Sequence, residues 1–90
     1  MGEDAGVAQL HKNIGDAHYR VGLYDEAYDA YSRAVKFNET LGPDVWIKLG
    51  NIRLRRGESD EAVKCWEHAL LLDPGNTTAR KNIEAAQGSS

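Results

Sequence analysis

Apolar residues recur at steps of three and four along most of this 90-residue chain. The first such series consists of Val7, Leu10, Ile14, Ala17, Val21 and Tyr24. This spacing places side chains along one stripe of an α-helix. It predicts a first helix that begins near Val7 and ends at Gly22, because glycine suits the residue that follows a helix.

The same spacing predicts four further helices. The second begins at Asp25, and its predicted inward side carries Ala27, Tyr28, Tyr31, Ala34, Val35 and Asn38. The third covers about Pro43 to Arg56, because proline suits the first turn of a helix; its apolar residues are Val45, Trp46, Leu49, Ile52 and Leu54. The fourth begins at Asp60 and stops before Pro74. The fifth covers about residues 78–87 after a cap at Asn76 or Thr77, with Ala79, Ile83 and Ala86 facing the fourth helix.

The helical pattern repeats with a period of 35 residues. When residues 15–39 are laid on residues 50–74, the identical pairs are Gly15/Gly50, Arg20/Arg55, Gly22/Gly57, Asp25/Asp60, Glu26/Glu61, Ala27/Ala62 and Ala34/Ala69. Tyr31 also falls on Trp66. A fixed period of this size is typical of repeat architectures.

The second copy resembles the tetratricopeptide repeat, whose pattern is W-x2-L-G-x2-Y, A-x3-F and then P. The matching residues are Trp46, Leu49, Gly50, Ala62, Trp66 and Pro74, with Arg53 in place of the tyrosine. The first copy matches at Ile14, Gly15, Ala27, Tyr31 and Ala34, and departs at His11, His18 and Glu39. The resemblance covers about residues 9–87. It implies an all-α helical-repeat array of two helix-turn-helix repeats and a C-terminal capping helix.

Domain boundaries follow from the breaks between helices. We expect a repeat domain over residues 7–87, with repeat one at 8–41, repeat two at 43–76 and the capping helix at 77–87. A flexible N-terminus of residues 1–6 and a flexible tail of residues 88–90 are expected to flank it. The closing Gly-Ser-Ser resembles a linker, which is compatible with a piece of a longer array.

Composition excludes several classes of protein. The net charge of −3 is too small to indicate a nucleic-acid partner. The longest apolar run, residues 69–72, is far too short to span a membrane, and the acidic first residues are unlike a signal peptide. The single cysteine, Cys65, excludes an intrachain disulfide framework. These features favour an intracellular, cytoplasmic protein without nucleic-acid or membrane partners.

Catalytic and metal-binding patterns are absent from the sequence. It has no glycine-rich phosphate loop and no nucleophile elbow. His11 and His18 are separated by about 10.5 Å along a helix, too far to share a metal ion. Cys65 and His68 supply two ligands, whereas zinc takes three or four from the protein. We therefore expect no enzymatic activity, no cofactor and no metal.

The family resemblance implies where a partner would bind. In such arrays the first helix of each pair lines a concave groove that holds an extended peptide. The corresponding residues here are Lys12, Asn13, Asp16, Tyr19, Arg20, Lys48, Asn51, Arg55, Lys81 and Asn82, together with Gln9, Asp44, Ile47, Leu54, Thr78 and Ala85. Basic side chains outnumber acidic ones in this set, so the expected partner is another protein that offers an extended acidic or C-terminal peptide.

One subclass of the family holds the C-terminal carboxylate of chaperones between lysine and asparagine side chains. Asn51 and Asn82 match two of its asparagines, but Ile47 stands where its first lysine would be. In the other register Asp16 stands where an asparagine would be. The resemblance therefore implies an incomplete clamp in either register.

Self-association is the alternative function. Two and a half repeats are fewer than the roughly three that usually bury a continuous core, and Ala8 and His11 are expected on an uncovered side of the first helix. Straightening of the 38–44 loop would let two chains exchange halves. Because Gly42-Pro43 disfavours a continuous helix there, the sequence favours a monomer or a weak homodimer over an exchanged dimer.

Overall fold

The computed structural model describes the backbone of residues 2–88 and the side chains of residues 6–88. Within that range it contains helices and no strand. The helices are α1 (Gly2–Arg20), α2 (Tyr24–Phe37), α3 (Pro43–Arg55), α4 (Ser59–Leu72) and α5 (Thr77–Gly88). The predicted all-α class and the number of helices are confirmed.

The chain divides into two compact units. The first ends at Leu41 and holds α1 and α2, which pack against each other. The second begins at Gly42 and holds α3, α4 and α5. In this second unit α4 packs against both α3 and α5.

The turn inside each hairpin has the same geometry. Gly22 and Gly57 have φ angles of 84° and 81°, which favour glycine because it has no Cβ. The residue after each glycine donates its backbone N–H to a carbonyl oxygen five residues earlier. The N–O distance is 2.9 Å from Leu23 to His18 and 3.0 Å from Glu58 to Arg53. This bond closes the helix end, as the sequence predicted for both glycines.

The first and last helices extend further toward the chain ends than expected, α5 by one residue to Gly88. α1 begins at Gly2, whereas the apolar spacing predicted a start near Val7. Apolar spacing detects only the part of a helix that packs, and residues 2–6 contain no proline to stop the helical hydrogen bonds earlier. Of the termini predicted to be flexible, Met1 and residues 89–90 lie outside the described residues.

The apolar stripe of α1 is not the face that packs. Leu10, Ile14 and Val21 are exposed, while Ala8 is completely buried. Gly15 explains the difference, because a Cβ there would lie 2.6 Å from two ring carbons of Tyr31. The buried Tyr31 ring of α2 thus requires the bare backbone of Gly15, and this contact sets the rotation of α1.

His11 was also expected on the uncovered side of α1, and this expectation was wrong. Its ring stacks on that of Phe37 in α2, with centroids 6.0 Å apart and planes 4° apart. The buried residues of the unit are otherwise small, apart from Tyr31; they are Ala8, Ala27, Ala30 and Ala34. Small residues allow two helices to approach closely.

A buried cluster of the second unit surrounds Trp66. It consists of Ile47, Ala62, Trp66, Ala69 and Ala79, with Ile83 and Ala86 packed against it. The predicted inward side of α5 is therefore confirmed. Ile47 was expected in the groove, but its side chain is buried, because it lies on the face of α3 that covers Trp66.

The start of α5 is fixed by a side-chain cap. Asn76 Oδ1 accepts a hydrogen bond from the Ala79 backbone N–H at 2.9 Å. This bond satisfies one of the N–H groups that have no partner in the first turn of a helix. Of the two caps predicted from the sequence, the structure has Asn76.

Candidate functional site

Two predicted groove residues meet in the second unit. Asn51 on α3 and Asn82 on α5 are joined by a hydrogen bond of 3.3 Å, in which Asn82 Nδ2 donates to Asn51 Oδ1. The same oxygen accepts the indole N–H of Trp66 at 3.2 Å. Two donors from different helices thus hold the Asn51 amide in one orientation.

The Trp66 indole N–H is shared between two acceptors. Besides Asn51 Oδ1, it reaches the backbone carbonyl of Ile47, also at 3.2 Å. Trp66 is almost fully buried, and a buried donor without a partner costs about 1–3 kcal/mol. The half-buried Asn51 side chain therefore provides a hydrogen-bond acceptor for a buried core residue.

A cleft of about 290 Å³ opens beside this asparagine pair. Its polar lining comes from Asn51, Asn82 and Ser59, while Leu54 and two α5 alanines, Ala85 and Ala86, supply apolar walls. Trp66 contributes the floor. Small-molecule sites commonly combine apolar walls with a few polar groups in this way.

Three predicted cationic residues lie one helical turn from residues that line the cleft. Lys48 is three residues before Asn51, Arg55 is four residues after Asn51, and Lys81 is four residues before Ala85. Lys81 and Arg55 are exposed and Lys48 is half-buried. Because residues three apart share one side of a helix, the positive charge of Lys48 lies on the side of α3 that carries Asn51.

The predicted residues of α1 are engaged within the first unit. Lys12 Nζ forms an ion pair with Asp16 Oδ2 at 3.0 Å, and the Tyr31 hydroxyl donates to Asp16 Oδ1 at 2.5 Å. Asn13 accepts a hydrogen bond from Gln9 at 2.9 Å. The Lys12 charge is therefore balanced by a neighbour.

The other two predicted residues of α1 differ from each other. Tyr19 packs against two rings of α2, with centroids 5.4 Å from Tyr24 and 6.3 Å from Tyr31. Arg20 is exposed at the end of α1. Tyr19 is therefore largely a packing residue.

The first unit carries larger side chains at two positions that correspond to cleft residues. With the 35-residue offset, Leu54 and Ser59 correspond to Tyr19 and Tyr24. In the first unit those two tyrosine rings contact each other, and Tyr19 also contacts Tyr31, the counterpart of Trp66. Sequence reasoning did not identify Ser59 or Ala86 as cleft residues. The sequence signal for this cleft was the serine at position 59, where the first repeat has Tyr24.

Cys65 and His68, the remaining reactive side chains of α4, take structural positions. The His68 ring lies against Trp46, with centroids 3.9 Å apart. Burial raises the pKa of the Cys65 thiol; the Arg53 charge lowers it and the Glu61 charge raises it by smaller amounts. A raised pKa reduces the thiolate fraction and hence reactivity at neutral pH.

Among residues 6–88, whose side chains the structure describes, no cluster of three or more histidine, cysteine or acidic side chains is arranged to hold a metal ion. Nor does any helix in this range have both the length and the apolar character needed to cross a membrane.

Family models for the tetratricopeptide repeat match residues 8–41 and residues 43–76. The chain belongs to the tetratricopeptide repeat family. Among curated proteins it is similar to the chloroplastic tetratricopeptide repeat domain-containing protein PYG7 of Arabidopsis thaliana, with 29% identity over 84 residues, covering 93% of this chain and 28% of that protein. It is also similar to the repeat-containing protein YpiA of Bacillus subtilis, with 24% identity over 91% of this chain and 19% of that protein. The chain thus spans less than a third of the length of either relative.

Solved tetratricopeptide repeat structures have the same fold. The MamA structure superposes with a TM-score of 0.83 and 27% identity, covering 93% of this chain and 48% of that one. The second repeat domain of human RPAP3, solved in complex with the HSP70 peptide SGPTIEEVD, has a TM-score of 0.79 and 26% identity. That match covers 91% of this chain and 68% of the RPAP3 chain.

Proposed function

We propose that this chain is a protein-interaction module and not an enzyme, and that the second unit binds an extended acidic segment of a partner protein. The observation that carries the proposal is the Asn51–Asn82 pair beside an open cleft, with Lys48, Arg55 and Lys81 each one helical turn from a lining residue. Family membership supports the general role, since tetratricopeptide repeats generally serve as interaction scaffolds.

Asparagine side chains suit the recognition of an extended peptide. Each amide carries both donors and an acceptor, so it can pair with the N–H and C=O groups that an extended backbone leaves unpaired. The Asn51 oxygen is already held by Trp66 and Asn82. A fixed amide loses little conformational entropy when a ligand binds.

The cationic residues favour an acidic partner. Lys48, Arg55 and Lys81 contribute three positive charges to α3 and α5, and complementary charge increases association rates and selects among partners. The peptide in the RPAP3 complex, SGPTIEEVD, is itself acidic, which supports this partner class. The role of the α1 residues also stays a prediction.

We do not restrict the partner to a free C-terminus. The position that a carboxylate clamp fills with lysine is Ile47, whose side chain is buried in the core. An isoleucine there cannot pair with a terminal carboxylate. The proposed ligand is therefore an acidic segment held by its backbone and side-chain charges.

The test is a binding measurement with two matched variants. Acidic peptides selected on an array would be titrated calorimetrically into wild type, Lys48→Ala/Lys81→Ala and Lys64→Ala. Lys64 is an exposed lysine on α4 and serves as the control. Exposed charge pairs are worth up to about 1 kcal/mol each, so the double variant should weaken binding by roughly tenfold.

The salt dependence provides a second readout. Wild-type affinity should fall between low and high ionic strength, and the double variant should show a smaller fall, because screening acts on the charges it lacks. Equal affinity and equal salt dependence in wild type and the double variant would contradict the proposed site.

Self-association stays the second candidate function. The observation in its favour is exposed apolar surface, including Val21 and Leu71 at 69% and 78% exposure. Single exposed apolar residues are nevertheless common in monomeric proteins. We expect a monomer or a weak dimer, and light scattering across protein concentrations tests this; a dimer that persists at sub-micromolar concentration would favour assembly over peptide binding.

A further inference from the structure

We infer that the cleft of the second unit is a subsite for one aromatic side chain, a tyrosine, within the acidic segment of a partner protein. The inference rests on the proposed function, because it assigns the residue that the bound segment presents to the cleft. It adds a chemical preference that neither charge nor the asparagine pair supplies.

The first unit shows which side chains fit this place in the hairpin. Tyr19 and Tyr24 pack edge to face there, and Tyr19 also packs against Tyr31. Both hairpins share the same glycine turn, so their corresponding positions are comparable. In the second unit the two tyrosines are replaced by the smaller Leu54 and Ser59, which line the cleft.

The cleft is large enough for an aromatic ring. Its volume is about 290 Å³, whereas an apolar cavity of about 150 Å³ already binds benzene. Leu54, Ala85 and Ala86 provide the apolar walls that a ring requires. Aromatic side chains also gain large buried area with few rotatable bonds.

The polar lining favours tyrosine over phenylalanine. Asn51, Asn82 and Ser59 all line the cleft, and a buried phenol hydroxyl needs a hydrogen-bond partner.

Charge selects the residues that flank the tyrosine. Asn51 replaces the negative Asp16 of the first unit, so the lining of the cleft has no carboxylate. Arg55 lies one helical turn after the lining residue Asn51, and Lys81 lies one turn before the lining residue Ala85. Acidic residues beside the tyrosine would complement these charges.

The first experiment uses p-cresol, which reproduces the tyrosine side chain. It would be titrated into ¹⁵N-labelled protein while the indole N–H of Trp66 and the side-chain amides of Asn51 and Asn82 are followed by NMR. We expect saturable shifts at these groups, at about millimolar concentration for a ligand of this size. The Trp46 indole, which lies against His68, serves as the internal control and should not shift. Shifts spread over both indoles, or absent at Trp66, would overturn the inference.

A filling variant tests the comparison between the two hairpins. Leu54→Tyr/Ser59→Tyr restores the first unit's aromatic pair and should weaken p-cresol binding at least tenfold while the helical circular dichroism is retained. Leu71→Tyr places a tyrosine on an exposed part of α4 and should bind like wild type. Should the double variant fail to fold, Ala85→Leu narrows the cleft from α5 and carries the same expectation. Unchanged binding in the folded filling variant would overturn the inference.

Two peptides separate this inference from the proposed function. Acetyl-EEYEE-amide should bind at least tenfold more tightly than acetyl-EELEE-amide. If the two bind equally and both depend on Lys48 and Lys81, the aromatic subsite is wrong and acidic-segment binding stands. If p-cresol binds at Trp66 but neither peptide binds, the proposed acidic-segment binding fails, and of the inference only the preference of the cleft for a phenol ring remains.

Discussion

Gly50→Ala tests the contact on which the second unit is built. Gly50 lies in the middle of α3, where alanine normally stabilises a helix by about 1 kcal/mol relative to glycine. Here the added Cβ would lie 2.7 Å from Trp66 Cδ1 and 2.9 Å from Cε2, and closer still to Nε1. The packing contact therefore opposes the helix propensity.

The size of the effect follows from what the Trp66 ring must do. Forcing a methyl group into a packed site costs about 1–3 kcal/mol. Displacing the indole N–H from Ile47 O and Asn51 Oδ1 adds about 1–3 kcal/mol for an unsatisfied buried donor. After the gain in helix propensity, the free energy of unfolding should fall by about 1–5 kcal/mol. In a domain of this size each kcal/mol lowers Tm by about 4–8 °C.

Urea denaturation followed by circular dichroism measures the change, with Gly6→Ala as the matched control. Gly6 is also helical, but a Cβ there meets no atom within 4 Å, so this variant should be neutral or more stable. A double-mutant cycle with Trp66→Leu, which removes both ring and donor, should abolish most of the Gly50→Ala penalty. A Gly50→Ala protein as stable as wild type, or an equal penalty without the ring, would refute the reasoning.

Three further changes have expected outcomes. Tyr31→Phe removes the hydrogen bond from a buried hydroxyl to the Asp16 carboxylate, and should cost about 1.5–3 kcal/mol in urea denaturation; a loss below about 0.5 kcal/mol would contradict this role. Asn76→Ala removes the cap of α5 and should cost about 0.5–2 kcal/mol, with faster amide hydrogen exchange in α5, whereas Asn76→Asp should retain most of the cap. Alkylation of Cys65 at pH 8 should be slower in the native than in the urea-unfolded protein, because burial raises the pKa of its thiol. The stability linked to that shift is present below the unfolded pKa and is lost as the pH rises through the folded pKa; equal alkylation rates would exclude the shift.

The elements of the fold were predictable because their signals are local. Gly22, Gly57 and Pro43 mark helix ends by backbone chemistry alone, and the structure places α-helix boundaries beside each of them. The apolar stripe of α1 did not indicate its packed face, because apolar spacing depends on side-chain hydrophobicity, while the decisive contact involves Gly15, which has no side chain. Only the contact between Gly15 and Tyr31 reveals that face, and a contact between two helices cannot be derived from the spacing within one of them.

The candidate site was predictable in part for a similar reason. Asn51 and Asn82 were placed together by the repeat register, and their hydrogen bond joins α3 to α5. Ile47 was misplaced because the register gives a position on a helix, but not how far the neighbouring Trp66 side chain extends over it. The cleft was not predicted because it arises from a difference in side-chain size. Leu54 and Ser59, which line it, are smaller than Tyr19 and Tyr24, the corresponding residues of the first unit.

The tyrosines and the tryptophans lie in different units of the chain, so spectroscopy can follow each unit separately. All four tyrosines, at positions 19, 24, 28 and 31, belong to the first unit, and both tryptophans, at 46 and 66, belong to the second. Emission excited at long ultraviolet wavelength therefore reports on the second unit alone, while tyrosine absorbance changes report mainly on the first. Without any label, one melting experiment can show whether the two repeats unfold in a single step or one after the other.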